Sequence, residues 1–155
     1  MRRQMKTTRG GHDVSDKRKS EPWVRTVRLP WTIESVPRVR QEVVADLGAG
    51  KLPDSVVEEA ETVVAELVAN AILHGRPLPD GTVRVRWRAR PPRVEIEVTD
   101  GGSDKQPKPK PQADWAPSGR GLRIVRSLAY EWGVNDEDGH TMVWAALGGA
   151  SRRRI

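Results

Sequence analysis

Glu66 and Asn70 lie one helical turn apart in the segment ELVANAILHG, residues 66–75. A carboxylate can accept a proton, and an amide oxygen can ligate a hard cation such as Mg²⁺. At 100° per residue, His74 falls on the same shoulder of this helix, where the helix dipole favours a histidine for structural reasons alone. The pair is a candidate for acid–base and cation chemistry; a solvated helix face is the alternative when the pair is taken alone.

A second candidate site is Asp100, which Gly101 and Gly102 follow at the end of a predicted strand. The carboxylate can accept a hydrogen bond from an exocyclic amine, and glycines let a ring lie close to the backbone. The alternative is a simple turn that Asp100 initiates. The residue types therefore suit recognition of a base.

A third candidate is Gly119-Arg120-Gly121, which opens a predicted helix. Free N–H groups and the positive end of the helix dipole can hold an anion such as a phosphate. A flexible helix start is the alternative. The motif is not a Rossmann fingerprint, because Ile124 stands in place of the third glycine, and the chain has no GxxxxGK phosphate loop.

Length, composition and charge restrict the function classes. A chain of 155 residues has room for one ordinary domain, and the absence of cysteine excludes disulfides, thiolate nucleophiles and Cys-ligated metals. Three scattered histidines argue against a zinc enzyme. The formal net charge is +6, but residues 1–20 contribute +5 and Arg152–Arg154 contribute +3, so residues 21–151 carry −2. The folded body is therefore not a basic domain.

The charge distribution predicts three parts: a basic disordered N-terminal tail at 1–20, one domain at 21–150 and a basic C-terminal tail at 151–155. Nucleic-acid binding through the tails is an alternative function to solvated ends. The N-terminus has charge without a following apolar stretch, and no segment approaches the roughly 20 apolar residues of a membrane span. We expect a soluble, cytoplasmic protein that does not contact a membrane.

Hydrophobic periodicity predicts the elements that position the three candidate sites. Glu66 and Asn70 fall in the longest helix, and Asp100 closes the second strand of a hairpin whose arginines and glutamates pair across its outer face. Trp87, Trp132 and Trp144 fall in regular elements and are expected to pack. The predicted order is a strand from Trp23 to Pro30, a helix from Ser35 to Gly48, a helix from Pro53 to His74 with Gly75 as a left-handed stop, strands TVRVRWRA and RVEIEVTD around a Pro91-Pro92 turn, a loop over 101–118, a helix LRIVRSLAYEW, an acidic turn at 135–139 and a strand HTMVWAAL.

This order predicts an α/β (α+β) two-layer sandwich, with a mainly antiparallel mixed sheet and its helices on one face. It differs from the strict alternation of strands and helices in a doubly wound sheet. No internal repeat is visible at any useful period.

The motifs in this order resemble those of a known superfamily. ELVANAILHG at 66–75, VTDGG at 98–102 and GRGLRIV at 119–125 resemble the N, G1 and G2 boxes of the GHKL (Bergerat-fold) ATPases. The short single-domain form, with its closing WGV and TMVWAAL segments, resembles the bacterial anti-sigma factor serine/threonine kinases. The resemblance covers about residues 24–148.

The resemblance implies an ATP-binding kinase that uses ATP and Mg²⁺. Its substrate would be a Ser or Thr of an anti-anti-sigma (STAS-type) protein, and the same surface could sequester a sigma factor; members are often homodimers. The implied roles are general base for Glu66, Mg²⁺ ligand for Asn70, adenine recognition for Asp100 with Gly102 beside it, phosphate contact for Gly119, Arg120, Gly121 and Leu122, and an ATP lid at 103–118.

One departure from the family pattern keeps a second interpretation open. The G1 box normally continues to another glycine two residues after Gly102, where this chain has Asp104. A carboxylate there would repel phosphate. The lid is also unusual in its PKPKPQ run, although Trp115 within it would make a useful fluorescent reporter. The alternative is therefore a catalytically inactive regulator on the same fold, which binds a partner protein with or without nucleotide.

Overall fold

A computed structural model of the chain describes residues 21–102 and 119–149. Five predictions made from the sequence lie outside the described residues: the tails at 1–20 and 151–155, the lid at 103–118, and the parts that Asp104 and Trp115 would play within it. The remaining predicted site residues are described, apart from the side chain of Arg120.

The described residues form five strands and three helices. Their bounds are β1 (Trp23–Pro30), α1 (Ser35–Ala49), α2 (Asp54–His74), β2 (Thr82–Arg90), β3 (Arg93–Asp100), α3 (Gly119–Leu128), β4 (Glu131–Glu137) and β5 (His140–Leu147).

The strands form one sheet in the order β1-β2-β3-β5-β4. Every neighbouring pair among the described strands is antiparallel, so the sheet is fully antiparallel where a mixed one was expected. The helices pack on one face: α2 lies on β2, β3 and β5, α1 contacts β1, and α3 contacts β4. The predicted α+β two-layer sandwich is confirmed.

The core lies between the two layers, where the apolar stripes of the helices meet one face of the sheet. Alternation places Val83, Val85 and Trp87 of β2 on this face, and all three are fully buried. On the same face of β3, Val94, Ile96 and Val98 are buried as well. The valine-rich stripe of α2 covers them: Ala60, Val63, Val64, Leu67, Val68 and Ala71.

Asp46 of α1 ties this helix to the sheet. Its Oδ2 accepts hydrogen bonds from the indole Nε1 of Trp23 at 2.9 Å and of Trp87 at 2.6 Å. The guanidinium of Arg25 lies 3.7 Å from Oδ1. A buried indole N–H needs an acceptor. This one carboxylate on α1 supplies the acceptor for an indole on each of two strands, β1 and β2.

The end of α2 differs from the sequence prediction, and the start of α1 has no side-chain cap. Gly75 does not adopt a left-handed stop: its φ of −100° and ψ of −158° are extended. Ser35 begins α1, but its hydroxyl donates to the Pro30 carbonyl at 2.6 Å, and no side chain caps the helix. Contacts with neighbouring residues therefore determine the conformation at the end of α2 and at the start of α1.

Strand β4 is an element that the periodicity did not predict. The segment Glu131–Glu137 was assigned partly to the preceding helix and partly to an acidic turn, because it is polar and lacks clear alternation. Asp138 and Gly139 have φ values of 53° and 80°, which fit a two-residue type I′ turn between β4 and β5. The Asp-Gly dipeptide is the sequence signal for this hairpin.

No helix within the described ranges is long and apolar enough to cross a membrane.

Candidate functional site

The site forms where β3 ends against the C-terminal turn of α2. Asp100, the last residue of β3, is 7% exposed. Its Oδ1 accepts a hydrogen bond from the backbone N–H of Gly102 at 2.7 Å. Its Oδ2 faces Gly75, where an added Cβ atom would lie 2.6 Å away. The carboxylate is thus held between its own loop and the end of the helix.

Gly101 and Gly102 hold the loop after Asp100 in close contact with its neighbours. The Gly101 N–H donates to the carbonyl of Arg76 at 2.7 Å, and a side chain at Gly101 would collide with the Pro77 carbonyl. Gly102 has a φ of 90° and would collide through a Cβ with the Gly139 carbonyl. The glycines are therefore needed because neighbouring backbone lies close to both residues. Their predicted role, which is to let a ligand ring approach the backbone, stays a prediction.

Burial raises the pKa of Asp100 to about 6, and the hydrogen bond from Gly102 opposes this shift only in part. A carboxyl with this pKa is ionised at neutral pH. Among the described residues, Gly102 is the one hydrogen-bond donor to Asp100. The carboxylate therefore retains capacity to accept a hydrogen bond from a ligand amine.

Glu66 and Asn70 lie on α2, the helix whose C-terminal turn lies against the end of β3. Both side chains are partly buried, and His74 in the last turn is exposed. The amide nitrogen Nδ2 of Asn70 is buried and has no hydrogen-bond partner among the described residues. A buried polar atom without a partner carries a free-energy penalty, and such atoms concentrate where a ligand or ion is bound.

The N-terminal turn of α3 carries the residues predicted to contact phosphate. Gly119, Arg120 and Gly121 are the first three residues of this helix, which packs against α2. The side chain of Arg120 lies outside what the structure describes. Leu122 follows in the first turn and is 7% exposed. The first N–H groups of a helix can hold an anion, so phosphate contact at this turn stays a prediction.

Thr141 is a polar residue of this region that the sequence reasoning missed. It is the register partner of Asp100 across β3 and β5 and is 7% exposed. Alternation along TMVWAAL puts it on the core face with Val143 and Ala145, so a hydroxyl at a core-facing position was the available signal. A hydroxyl beside Asp100 adds a donor and an acceptor to the buried end of the site.

Within the described ranges, no group of three or more His, Asp or Glu side chains could hold a metal ion. Mg²⁺ commonly takes only one or two protein ligands and completes its shell with phosphates and water. Asn70 alone suits that mode of binding. The residues present therefore fit a cation carried by a nucleotide better than a protein-only metal site.

The family model for the histidine kinase-like ATPase domain matches residues 29–147. A comparison with curated proteins finds no match. This range includes Glu66, Asn70, Asp100 and Gly119.

Two solved structures have a similar fold. The RsbU and RsbW domains of Rv1364c from Mycobacterium tuberculosis match with a TM-score of 0.61 and 20% identity, over 81% of this chain and 32% of that one. The SiaB–SiaC complex from Pseudomonas aeruginosa matches with a TM-score of 0.59 and 11% identity, over 92% of this chain and 99% of that one. This chain therefore spans about a third of the length of the M. tuberculosis chain.

Proposed function

This chain belongs to the histidine kinase-like ATPase domain family, and from that premise we propose that it binds ATP with Mg²⁺ as an anti-sigma-factor-like serine/threonine protein kinase. It would regulate transcription by phosphorylating an anti-anti-sigma partner, by sequestering a sigma factor, or by both.

The observation that carries the proposal is the buried Nδ2 of Asn70, which has no hydrogen-bond partner among the described residues. Asn70 lies one turn from Glu66, on the helix whose C-terminal end contacts Asp100. An Asn in that position can use its amide oxygen on Mg²⁺ and its amide N–H on a phosphate or water. Asp100 would accept a hydrogen bond from the exocyclic amine of adenine, and the N–H groups of the Gly119–Leu122 turn would contact the phosphates. The lid at 103–118 remains part of the proposal.

Glu66 would supply the acid–base chemistry of phosphoryl transfer. Side chains four residues apart on a helix lie about 6 Å from one another, so Glu66 can face an incoming hydroxyl while Asn70 faces the phosphates. Glu66 takes the proton of a Ser or Thr hydroxyl as that oxygen forms its bond to the γ-phosphorus. The bond from the γ-phosphorus to the bridging oxygen breaks, and ADP leaves. Positioning and charge neutralisation supply most of the acceleration in this chemistry.

The proposed partner is a STAS-type anti-anti-sigma protein or a sigma factor. Support comes from the fold neighbours: one is described as a complex of SiaB with SiaC, and the other as carrying RsbU and RsbW domains. We also propose that the protein is cytoplasmic, and that its basic tails would contact nucleic acid.

The first test is calorimetric titration of the full chain with Mg-ATP, beside Asn70→Ala. Saturable binding that the variant loses, with an unchanged far-UV circular dichroism spectrum, supports the nucleotide site. Absence of binding by the wild-type chain would refute it and favour the alternative of a protein-binding regulator on the same fold.

The second test is transfer of labelled phosphate from ATP to a STAS-type domain. Glu66→Gln should stop transfer and leave ATP affinity largely intact, because the amide cannot take the proton. Glu58→Gln is the matched control, since Glu58 lies exposed on the same helix. Equal transfer by the wild type and Glu66→Gln would exclude Glu66 as the base.

A further inference from the structure

Four arginines form a row on the outer face of the sheet, which is the face opposite the described helices. They alternate along β2 with buried residues, so they share one side of the strand. Alternate residues of a strand lie about 6.5–7 Å apart, which makes the row about 20 Å long. The row comprises Arg84, Arg86, Arg88 and Arg90.

The arginine row is not neutralised by ion pairs within the described part of the chain. Arg86 is the register partner of Glu97, and Arg88 is the partner of Glu95. The cross-strand ion pairs that the sequence predicted do not form, since the ion pairs among the described residues join other side chains. Arginine is also the longer side chain, so its guanidinium can reach an anion that lies beyond the carboxylates.

The two basic tails join the fold beside one end of this row. Strand β1 begins at Trp23, which pairs with β2 one residue before Arg90. Gly148, which follows β5, lies against the carbonyl of Pro92 in the β2–β3 turn, and Arg90 and Arg93 flank that turn. The N-terminal tail with its charge of +5 and the C-terminal tail with its charge of +3 are therefore attached next to these arginines.

We propose that this basic end of the sheet binds the phosphate backbone of double-stranded DNA without reading its sequence. The site consists of the exposed Arg88, Arg90 and Arg93, with the rest of the arginine row extending it along β2 and the tails adding charge. Guanidinium groups bind phosphate oxygens through charge-assisted hydrogen bonds, and contacts to phosphate alone carry no sequence information. This site extends to the folded domain the nucleic-acid contact proposed for the tails.

The site lies away from the candidate nucleotide site. Arg93 begins β3 and Asp100 ends it, so the two residues are about 23 Å apart along the strand. DNA at one end of the sheet leaves the other end accessible, and the two ligands can be bound at the same time.

Duplex DNA fits this surface better than a single strand does. Proteins that bind single strands without sequence preference stack the bases on aromatic side chains. No aromatic residue in the described ranges is exposed. The Trp23 indole donates to Asp46 at 2.9 Å, and Trp144 packs against Gly133. A duplex needs no stacking partner and carries one charge per about 1.7 Å of its axis, so it is the better ligand for a purely basic surface.

The distribution of exposed apolar side chains argues against an anionic membrane as the ligand. Stable binding to a membrane surface combines basic residues with inserted apolar groups. The exposed large apolar residues of the described ranges are Val24, Ile33 and Leu73. Ile33 and Leu73 lie beside the start of α1 and the end of α2, at the Asp100 end of the sheet. Val24 alone is near the arginines and offers little to insert.

The carboxylates of β3 oppose DNA binding, because negative charge beside the arginine row repels phosphate. Glu95 and Glu97 are the register partners of Arg88 and Arg86. Loss of one of these negative charges should strengthen binding if the DNA lies on the sheet. It should have little effect if the tails alone hold the DNA.

The test is binding of the full chain to a fluorescently labelled duplex of about 20 base pairs, measured by anisotropy between about 50 and 300 mM salt. The wild type should bind at low salt and lose affinity steeply as salt rises, because counterions are released. Arg88→Gln, Arg90→Gln and Arg93→Gln in one chain should weaken binding at least about tenfold and lower the slope of log K against log salt by about 2–3. Glu97→Gln should strengthen binding about threefold.

The matched control is Arg38→Gln, Arg40→Gln and Arg123→Gln in one chain. These exposed arginines lie on helices, and the control loses the same net charge as the first variant. Circular dichroism checks that both variants fold. The control should keep most of the affinity and the salt slope of the wild type.

Several outcomes would overturn the proposal. Equal weakening in the two triple variants would show that net charge alone holds the DNA, and an unchanged slope in the sheet variant would leave binding to the tails. Failure of the wild type to bind at 50 mM salt would exclude the site. Tighter binding to a single strand of the same length, or binding to phosphatidylserine vesicles without binding to the duplex, would assign the arginines to another ligand. None of these outcomes depends on ATP binding, so this proposal and the proposed kinase function can fail separately.

Discussion

Gly75 and the Asp100 carboxylate are in direct contact: a Cβ atom on Gly75 would lie 2.6 Å from Oδ2 and 2.8 Å from the carbonyl of Ala71. Residue 75 has an extended backbone that any amino acid can adopt, so the requirement for glycine here is one of space. The contact joins the end of α2, which carries Glu66 and Asn70, to the end of β3. The contact therefore fixes the position of Asp100, the candidate base-recognition residue, relative to the helix that carries Asn70, the candidate cation ligand.

Replacement of Gly75 by alanine should displace the Asp100 carboxylate. We expect the free energy of unfolding to fall by about 1–3 kcal/mol, the usual cost of overpacking a tight site, and ATP affinity to fall with it. Urea unfolding and calorimetric titration measure the two effects. Gly48→Ala is the control: Gly48 lies in α1 with nothing near its Cβ position, so this change should stabilise by about 0.5–1 kcal/mol. Equal responses of the two variants would contradict the packing argument.

The raised pKa of Asp100 should make stability depend on pH. The native pKa is about 6 and the ordinary value is 3.8, so between these values the native state binds more protons than the unfolded state. The free energy of unfolding therefore falls as pH rises from about 4 to 6, by up to about 3 kcal/mol from this group, and levels off above. Asp100→Asn removes the effect.

The measurement is urea unfolding of the wild type and Asp100→Asn between pH 4 and 8. The stability of the variant relative to the wild type should rise up to about pH 6 and then stay constant. ATP affinity should change in the opposite sense, because an adenine amine binds the ionised carboxylate. It should weaken about tenfold from pH 7 to pH 5 in the wild type and much less in the variant. A constant difference in stability across the range would show that Asp100 titrates normally.

Asp46 should contribute more to stability than its one described salt bridge, with Arg25, suggests. Asp46→Ala leaves the indole N–H of the fully buried Trp87 without its acceptor, so we expect a loss of about 2–3 kcal/mol in unfolding free energy. Asp46→Asn keeps a carbonyl acceptor and should lose less. Glu42→Ala removes only the exposed contact with Arg25 at 3.3 Å, and about 0–1 kcal/mol is expected. Similar losses for Asp46→Ala and Glu42→Ala would refute the role of the indoles.

Comparison of Gly102 with Gly81 separates two reasons for a glycine: a positive φ angle and a lack of room for a Cβ atom. Both have positive φ, 90° and 79°, but a Cβ on Gly102 would collide with the Gly139 carbonyl, whereas Gly81 has nothing within 4 Å. Gly81→Ala should cost about 1 kcal/mol of unfolding free energy from strain alone. Gly102→Ala should cost clearly more and should also weaken ATP binding, because the Gly102 N–H orients Asp100. Thermal unfolding and titration of both variants decide between the two contributions.

Elements with clear hydrophobic periodicity were predicted correctly. The alternation of β2 and β3 matched the buried residues, since this pattern repeats with the two-residue period of a strand. Strand β4 was missed because a polar edge strand has little apolar alternation and forms through its pairing with β5. The end of α2 was misjudged for a related reason: a glycine after a helix is usually a left-handed cap, and nothing local indicates that a carboxylate from β3 occupies the space.

The sequence by itself determined the residue types, the spacing of Glu66 and Asn70 on one helix face, and the family to which the chain belongs, because these depend on local order along the chain. Only the tertiary structure decided that Asp100 contacts Gly75 and lies opposite Thr141, and that Arg86 pairs in register with Glu97. It also decided that Nδ2 of Asn70 is buried with no hydrogen-bond partner in the described part of the chain. These relations join residues 11 to 41 positions apart. They arise from the packing of α2 on the sheet and from strand register, which no local pattern encodes.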